Sequence, residues 1–462
     1  MNDYSIYTRF VSGVLFPLHE KLKRHDTVAV RRELDASQWW SAAQLQAHQL
    51  RRLRELLCEA GRAVPYYRQL FAELGFDPAA IRSLDDLRRL PMLTKPLIRA
   101  HSEAMKHPQA QQLSMSSTGG SSGEPLRFYI GRERVSHDVA AKWRATRWWD
   151  VDIGDPEVVI WGSPIELGAQ DRVRVWRDQL MRSTLLSAFE MSEANLDGYI
   201  ARIRALRPKM VFGYPYSIAH IAAHAERRGV RLDDLGVRVV FVTSEALHEH
   251  QREIISRVFG APVANGYGGR DAGFIAHECP AGGLHITAED IIVELLDEAG
   301  QPVPDGTPGE VVVTHLCSRD FPFVRYRTGD VAVRATQACA CGRGLPMLAE
   351  IQGRTNDFVQ ALDGTLLPCK AFTYMMREID GIDAFKIIQE TLQLTRLQLV
   401  RPAGLDAALR ERLMQGFRQR LGEGVQIEIE LLDHIPTQGN GKYRYVVSHV
   451  VGQGASVPGV SA

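Results

Sequence analysis

The sequence has no surplus of charge of either sign: 55 Lys and Arg stand against 55 Asp and Glu in 462 residues. A chain built in bulk to hold nucleic acid or an acidic membrane surface carries excess positive charge, so that class is excluded as its main task. Cysteine is scarce, with six residues, which rules out a disulfide scaffold. Long apolar runs are missing as well. The longest near the N-terminus, Phe10 to Leu18, contains Pro17 and is too short to span a bilayer, and no convincing signal-peptide cleavage site accompanies it. Internal repeats are absent. Together these absences point to the cytoplasm and to no membrane span. Hydrophobic residues at 45% and charged ones at 24% exclude wholesale disorder.

What the chain has in plenty is glycine, 39 residues, several in short runs. Its length allows about three domains, or one large α/β domain with a satellite. The first hundred residues look helical and are broken by Pro. Ser41 with Gln44 forms a capping box, and Leu50, Leu53, Leu57 and Ala60 follow at helical spacing. Trp39 and Trp40 read as packing residues.

From about 150 to 265, strands alternate with helices. Glu157–Trp161, Lys209–Gly213 and Val237–Val242 read as strands. Ser192 is placed to cap a helix carrying Leu196, Ile200, Ile203 and Leu206, and further helices cover Tyr216–Arg228 and the stretch through Ile254 and Ile255. This alternation implies βαβ crossovers and a largely parallel sheet, which binds ligands at the carboxyl ends of its strands. Residues 290–335 look purely β, with Ile291–Leu296 and Glu310–Thr314 around a turn-rich segment. After Gly353 come strands Ala384–Gln389, Leu394–Val400 and Val425–Leu431, with helices near 370–379 and 405–421. Val425, Ile427, Ile429 and Leu431 alternate with polar residues, as in a half-buried strand of a small α+β domain. The Gly/Ser/Pro/Ala-rich end from Gly452 reads as frayed.

The sharpest local feature is Ser114-Met-Ser-Ser-Thr-Gly-Gly-Ser-Ser-Gly-Glu-Pro125. Glycines let backbone N–H groups curl around an anion, and hydroxyls add donors. The segment lacks the Gly-Lys-Ser/Thr ending of a Walker loop, and a flexible linker is the competing interpretation. Three more clusters follow. Asn265-Gly-Tyr-Gly-Gly-Arg-Asp271 offers an aromatic face for a base and a carboxylate for a cation. Arg325-Tyr-Arg-Thr-Gly-Asp330 ends in a carboxylate suited to ribose hydroxyls. Pro436-Thr-Gln-Gly-Asn-Gly-Lys442 presents a Gly-flanked lysine. Each alone also reads as a turn, a surface ion pair or a solvated hairpin.

In this order the motifs resemble the adenylate-forming superfamily of acyl- and aryl-CoA synthetases. The nearer likeness is to the phenylacetate–CoA ligase family and its capsule-biosynthesis-associated relatives. Val64-Pro-Tyr-Tyr-Arg68, Gly353-Arg354-Thr-Asn-Asp357 and Cys339-Ala-Cys-Gly342 also fit that subfamily. The resemblance implies an α/β fold with a large N-terminal AMP-binding domain over 1–353, a small mobile C-terminal α+β domain over 354–451 and a tail over 452–462. It implies that Ser116, Ser117, Thr118, Gly119, Gly120, Ser121, Ser122 and Gly123 hold the phosphates of ATP. Ser244, Glu245, Ala246, Tyr267 and Gly268 would border the adenine, and Asp330 with Arg354 the ribose. Lys442 would bridge the α-phosphate and the acid, where a cation offsets repulsion between two anions. Asp271 would bind Mg²⁺, although the family usually has Glu there. Asn356 stands where the hinge residue is usually acidic. Tyr214 and Tyr216 are candidates for the acid pocket, with core packing as the alternative.

The implied reaction turns a carboxylic acid, aryl or related, and ATP into an acyl-adenylate and pyrophosphate, then passes the acyl group to coenzyme A. Transfer of acyl or AMP to an amine, a hydroxyl or a carrier protein is a second possibility, and a degenerate nucleotide-binding scaffold a third. Oligomeric state stays open, a dimer included. Finally, Cys279 and His285 lie six residues apart, and Cys339 and Cys341 two apart. Two such pairs suit a structural Zn²⁺ that pins the insertion; reduced thiols, with His285 as a simple strand residue, are the alternative.

Overall fold

The computed structural model describes residues 5–118, 126–161, 172–188, 193–354, 358–363, 366–368, 372, 375–376, 379–435 and 445–450. The N-terminal part is helical, as its patterning predicts. Helix Ala42–Ala63 starts at the Ser41 capping box: the Ser41 hydroxyl accepts from the Gln44 N–H, and the Gln44 side chain accepts from the Ser41 N–H at 2.9 Å. Leu53, Leu57 and Ala60 are buried along one face. Trp40 is half-buried against His48, but Trp39 is exposed, with the Arg343 guanidinium 5.1 Å above its ring. Packing therefore holds for Trp40 only.

The hairpin β1 (Ser114–Ser117) and β2 (Arg127–Ile130) precedes helix Arg132–Arg147. The main sheet then takes β3 (Glu157–Trp161), β4 (Ser183–Ser187), β5 (Met210–Gly213), β6 (Val239–Thr243), β7 (Val263–Gly269), β8 (Gly273–Glu278), β9 (Leu284–Ile286), β10 (Ile291–Leu296), β11 (Pro308–His315), β12 (Tyr326–Arg334) and β13 (Met347–Arg354). Among the described residues its order is β10-β11-β12-β13-β9-β8-β7-β6-β5-β3-β4. β4, β3, β5, β6 and β7 are parallel. From β8 onward the pairing is antiparallel.

The parallel half follows from its sequence. All five residues of β6, Val-Val-Phe-Val-Thr, are buried, as expected for a strand covered on both faces. One face meets helices Glu193–Leu206, Pro215–Arg227 and Glu249–Phe259 through Leu196, Ile221, Val240, Val242 and Phe259. The other carries Phe212, Phe241 and Ala145 of helix Arg132–Arg147. The alternation read from the sequence is present, with strand starts moved by one or two residues. The proposed cap at Ser192 lies outside the described residues.

Beyond the main sheet, β14 (Phe358–Gln360) pairs with β15 (Leu366–Pro368). A four-stranded sheet combines β16 (Ala384–Gln389), β17 (Leu394–Val400), β18 (Gln426–Leu431) and β19 (Val446–Ser448) in the order β18-β17-β16-β19. Helix Ala407–Leu421 closes over it through Leu413 and Phe417, packed with Phe385, Ile387, Leu397 and Leu399. Leu431 departs from its expected inward position: it is exposed at the end of the edge strand β18. The molecule is thus a large α/β body with a smaller C-terminal α+β unit that has its own core.

Candidate functional site

The sheet changes from parallel to antiparallel where β7 turns into β8, and residues of two of the sequence motifs meet at this turn. Gly268 lies inside it, and a Cβ at that position would run into the Gly273 carbonyl and lie 3.0 Å from the Ile275 nitrogen. Tyr267, buried on β7, donates its hydroxyl to Asp330 Oδ2 on β12 at 2.9 Å. Tyr326, at the start of β12, donates to Asp271 Oδ2 at 2.6 Å. Two tyrosine–carboxylate bonds thus run in opposite directions between the β7–β8 turn and β12. The Asp330 N–H donates to Thr328 Oγ1 at 3.1 Å, fixing the bend before the carboxylate. Arg354 of β13 stands opposite Asp330 in register.

The described part of the Ser/Thr/Gly loop, Ser116, Ser117 and Thr118, lies at the end of β1. Thr118 closes the loop's neck: its N–H donates to the Leu126 carbonyl, and its hydroxyl accepts from the Leu126 N–H, each at 3.0 Å. Gly119, Gly120, Ser121, Ser122 and Gly123 lie outside the described residues. The hairpin leads toward β12, because Phe128 meets Phe323 edge-on at 5.6 Å. Ser244, Glu245 and Ala246 follow β6 on the same carboxyl-end side, with Ser244 in the left-handed region at φ 71°. Lys442 and Asn356 are likewise outside the described residues.

The aromatic candidates divide. Tyr214 is buried and stacks on Trp161 at 4.3 Å. Tyr216 lies 6.2 Å from Tyr445 of the C-terminal unit, ring to ring, and burial pushes its hydroxyl pKa up. Tyr445 also meets His248 at 5.7 Å and Phe385 at 5.0 Å.

Cys279, His285, Cys339 and Cys341 come together although 62 positions separate the first from the last, as their numbers show. Their ligand atoms all lie within 4.8 Å of one another. Cys279 Sγ is 3.6 Å from Cys339 Sγ, and Cys341 Sγ is 3.2 Å from His285 Nε2. His285 Nδ1 faces the Leu345 carbonyl at 3.3 Å, which directs Nε2 at the thiols. Gly283 completes the cradle, since a Cβ there would come within 2.7 Å of Cys339 Sγ. Burial pushes the Cys279 thiol up to about 12 and the His285 imidazole down to about 4. No disulfide occurs among the described residues, and the three thiols and one imidazole form a soft N/S donor set of the kind Zn²⁺ takes.

Sequence reasoning missed a buried polar network along helix Arg132–Arg147. Arg134 Nη2 donates to the carbonyls of Arg270 and Asp271 at 2.8 and 3.0 Å, holding the β7–β8 turn from beneath. His137 Nδ1 lies 2.7 Å from Asp290 Oδ1, and Arg144 Nη1 lies 2.6 Å from Glu289 Oε1. Burial works to raise Asp290, but the charge and hydrogen bond of His137 outweigh it and hold the carboxylate well below its usual range. For His137, burial lowers the pKa, yet Asp290 wins and raises it. The signal was the i, i+4 spacing of Glu133 with His137 and of Arg134 with Asp138 on one helix.

The chain is similar to several known proteins. Residues 362–449 match the CapK C-terminal domain. The chain is 23% identical over 439 residues to phenylacetate–coenzyme A ligase of Thermus thermophilus, covering 87% of this chain and 96% of that protein. It is 23% identical over 370 residues to protein CapK of Staphylococcus aureus, covering 79% and 81%. Among solved structures, 2-hydroxyisobutyryl-CoA ligase in its post-adenylation state superposes with a TM-score of 0.72 at 21% identity, over 89% of this chain and 90% of that one. The thioesterification state of that same ligase gives 0.59. The chain is thus similar over most of its length to phenylacetate–coenzyme A ligases and to CapK, and it shares the fold of a coenzyme A ligase that works through an acyl-adenylate.

Proposed function

We propose that the protein activates a carboxylic acid with ATP and passes the acyl group to coenzyme A. The observation that carries this is the paired tethering of Asp330 by Tyr267 and of Asp271 by Tyr326, where the sheet switches from parallel to antiparallel pairing. In the first step a carboxylate oxygen of the acid attacks the α-phosphorus of ATP. The bond to the bridging oxygen breaks, and pyrophosphate leaves. In the second step the sulfur of coenzyme A attacks the acyl carbon, and AMP leaves.

Residue roles follow the chemistry. Ser116 to Gly123 cradle the phosphates, Ser244 to Ala246 with Tyr267 and Gly268 border the base, and Asp330 with Arg354 holds the ribose. Lys442 supplies positive charge between acid and α-phosphate. Asp271 is a hard oxygen donor whose Oδ1 makes no hydrogen bond among the described residues, so it fits Mg²⁺, which when bound would neutralise the departing pyrophosphate. The body over 1–353 and the small unit over 354–451, joined at Asn356, then rotate between the two steps. The higher TM-score against the post-adenylation structure supports reading the present arrangement as the one suited to the first step.

The Cys279–His285–Cys339–Cys341 cluster holds structural Zn²⁺ on this reading, and its reduced thiols suit the cytoplasm. Trp39 and Trp40 border the same insertion, since a Cβ on Gly344 would strike the Trp40 carbonyl.

The match of residues 362–449 to the CapK C-terminal domain favours a second reading, in which an amine, a hydroxyl or a carrier protein replaces coenzyme A as acceptor. Carboxylate-dependent ATP–pyrophosphate exchange over a panel of aryl, fatty and small acids tests the activation step. Lys442→Ala is expected to abolish exchange while ATP binding survives. Exchange with no thioester on adding coenzyme A selects the second reading. No exchange with any acid leaves a nucleotide-binding scaffold.

A further inference from the structure

The N-terminal residues form one continuous helical rod: α-helix Ile6–Phe10, a π-helical segment Val11–Leu15 and α-helix Phe16–Leu22. Two rows of residues run along it. Thr8, Val11, Phe16 and Glu20 face the body and are buried. Thr8 donates to Asp155 Oδ1 at 2.8 Å, and Phe16 meets Trp143 edge-on at 5.1 Å, so the rod cannot roll. Opposite them stand Ile6, Phe10, Val14, Leu18 and Leu22, each four residues from the next and all exposed, Ile6 by 89% and Leu22 by 77%. In a pure α-helix such a row drifts by about 40° per step, because a turn takes 3.6 residues. The π segment places more residues in each turn and turns that drift back. The apolar row therefore stays on one side of the rod.

The row continues onto a neighbour. Tyr7 donates to the Leu180 carbonyl at 2.8 Å, tying the rod to helix Arg172–Leu180, which exposes Val175, Leu180 and Trp176, the last by 69%. Exposed apolar surface that extends across two elements marks an interaction site. Its charge selects the partner. The exposed charged side chains of residues 6–24 are Arg9, Lys21, Lys23 and Arg24, and none forms an ion pair among the described residues. The one carboxylate of the stretch, Glu20, is buried and held by His19, His25 and Thr27. Arg182 adds a further cation, stacked over Tyr7 at 5.2 Å.

We propose that this face docks on an anionic lipid surface. Apolar side chains in one row with unpaired Lys and Arg beside them are the makeup of a helix lying in the plane of a membrane interface. A second copy on a two-fold axis would bring the same basic groups against each other, which disfavours self-association. The proposal is independent of the reaction proposed above.

The test is co-sedimentation of the full chain with vesicles of phosphatidylglycerol and phosphatidylcholine, and with phosphatidylcholine alone. The expected result is binding to the first and weak binding to the second, falling as salt rises. Phe10→Ser with Leu18→Ser should lower the partition coefficient by about tenfold or more. Lys21→Ser, Lys23→Ser and Arg24→Ser together should lower it by on the order of a hundredfold. Unchanged ATP–pyrophosphate exchange and thermal midpoint verify folding, and Ile6→Ser with Leu22→Ser replaces the first pair if it fails that control. Wild-type protein that stays in solution with anionic vesicles, or binds both vesicle types equally, overturns the proposal. So does a dimer in sedimentation velocity that Phe10→Ser with Leu18→Ser dissociates without any vesicle binding by the wild type.

Discussion

Tyr326 and Asp271, 55 positions apart in the chain, share a 2.6 Å hydrogen bond in which the phenol donates to Oδ2. The bond fixes the rotamer of a carboxylate one methylene shorter than the Glu usual in the resembling family. Removing it leaves the carboxylate in place but free to turn. Tyr326→Phe is expected to raise the Mg²⁺ concentration needed for half-maximal pyrophosphate exchange by about tenfold, the scale of losses when a ligand's supporting partner is removed. Mg²⁺ titration of the exchange rate checks it. An unchanged midpoint would mean that Asp271 is not the cation's carboxylate.

Tyr445 touches both units at once, Tyr216 and His248 on one side and Phe385 on the other. It lies three residues after Lys442. Tyr445→Ala should therefore slow adenylation by on the order of tenfold through misplacement of the lysine loop. Thioester formation from a supplied acyl-adenylate should be spared. Pyrophosphate exchange and thioester assays run in parallel separate the two; equal losses in both would point to general destabilisation instead.

The buried pair His137–Asp290 sets a pH dependence of stability. Its histidine has a raised pKa in the folded state, so its contribution is complete below the unfolded value of about 6.5 and is lost as pH rises through the folded one. Its aspartate has a lowered pKa, so its contribution is present above about 3.9 and is lost as pH falls through the folded value. Asp290→Asn should cost about 3 kcal/mol near pH 6, the scale for stranding one partner of a buried pair. The cost should shrink toward alkaline pH, where His137 is neutral in both states. Urea denaturation of wild type and variant from pH 5 to about 9 measures it, and a cost independent of pH contradicts the assignment.

For the thiol cluster, purified protein should carry about one equivalent of zinc per chain. Cys341→Ser should lose it and lower the thermal midpoint, with the insertion opening to protease. Elemental analysis and limited proteolysis report both. Metal-free wild type with an unchanged midpoint would leave the four residues as reduced thiols packed around Gly283.

Much of this was legible in one sequence. Strands such as Val239–Thr243 and Ala384–Gln389 announce themselves because burial on two faces or on one face writes directly into composition or alternation. The Ser41 cap was legible because it is local. Cys279 and Cys341 could be paired in thought because few residue types bind metal, so scarcity stood in for proximity. The Arg134–Asp271 and His137–Asp290 contacts were not legible. They join a helix to turns more than a hundred residues away, and the i, i+4 spacing on the helix marks a polar face without naming those distant partners. The π-helical straightening of the N-terminal row was equally hidden, because a residue-four repeat reads as a drifting face until the helix geometry is known.

One register pairing has a wider reach. Asp330 on β12 stands directly across from Arg354 on β13, and β13 is the strand by which the chain leaves the main sheet for the C-terminal unit. On the proposed reading, the group that grips the sugar of the nucleotide and the tether of the moving unit are cross-strand neighbours. A nucleotide in place would stiffen that strand pair, and its departure would slacken it. The protein would then work like a clutch: torque from the small unit transmits while AMP is seated and slips once it has gone, so that the swing cannot run ahead of the chemistry.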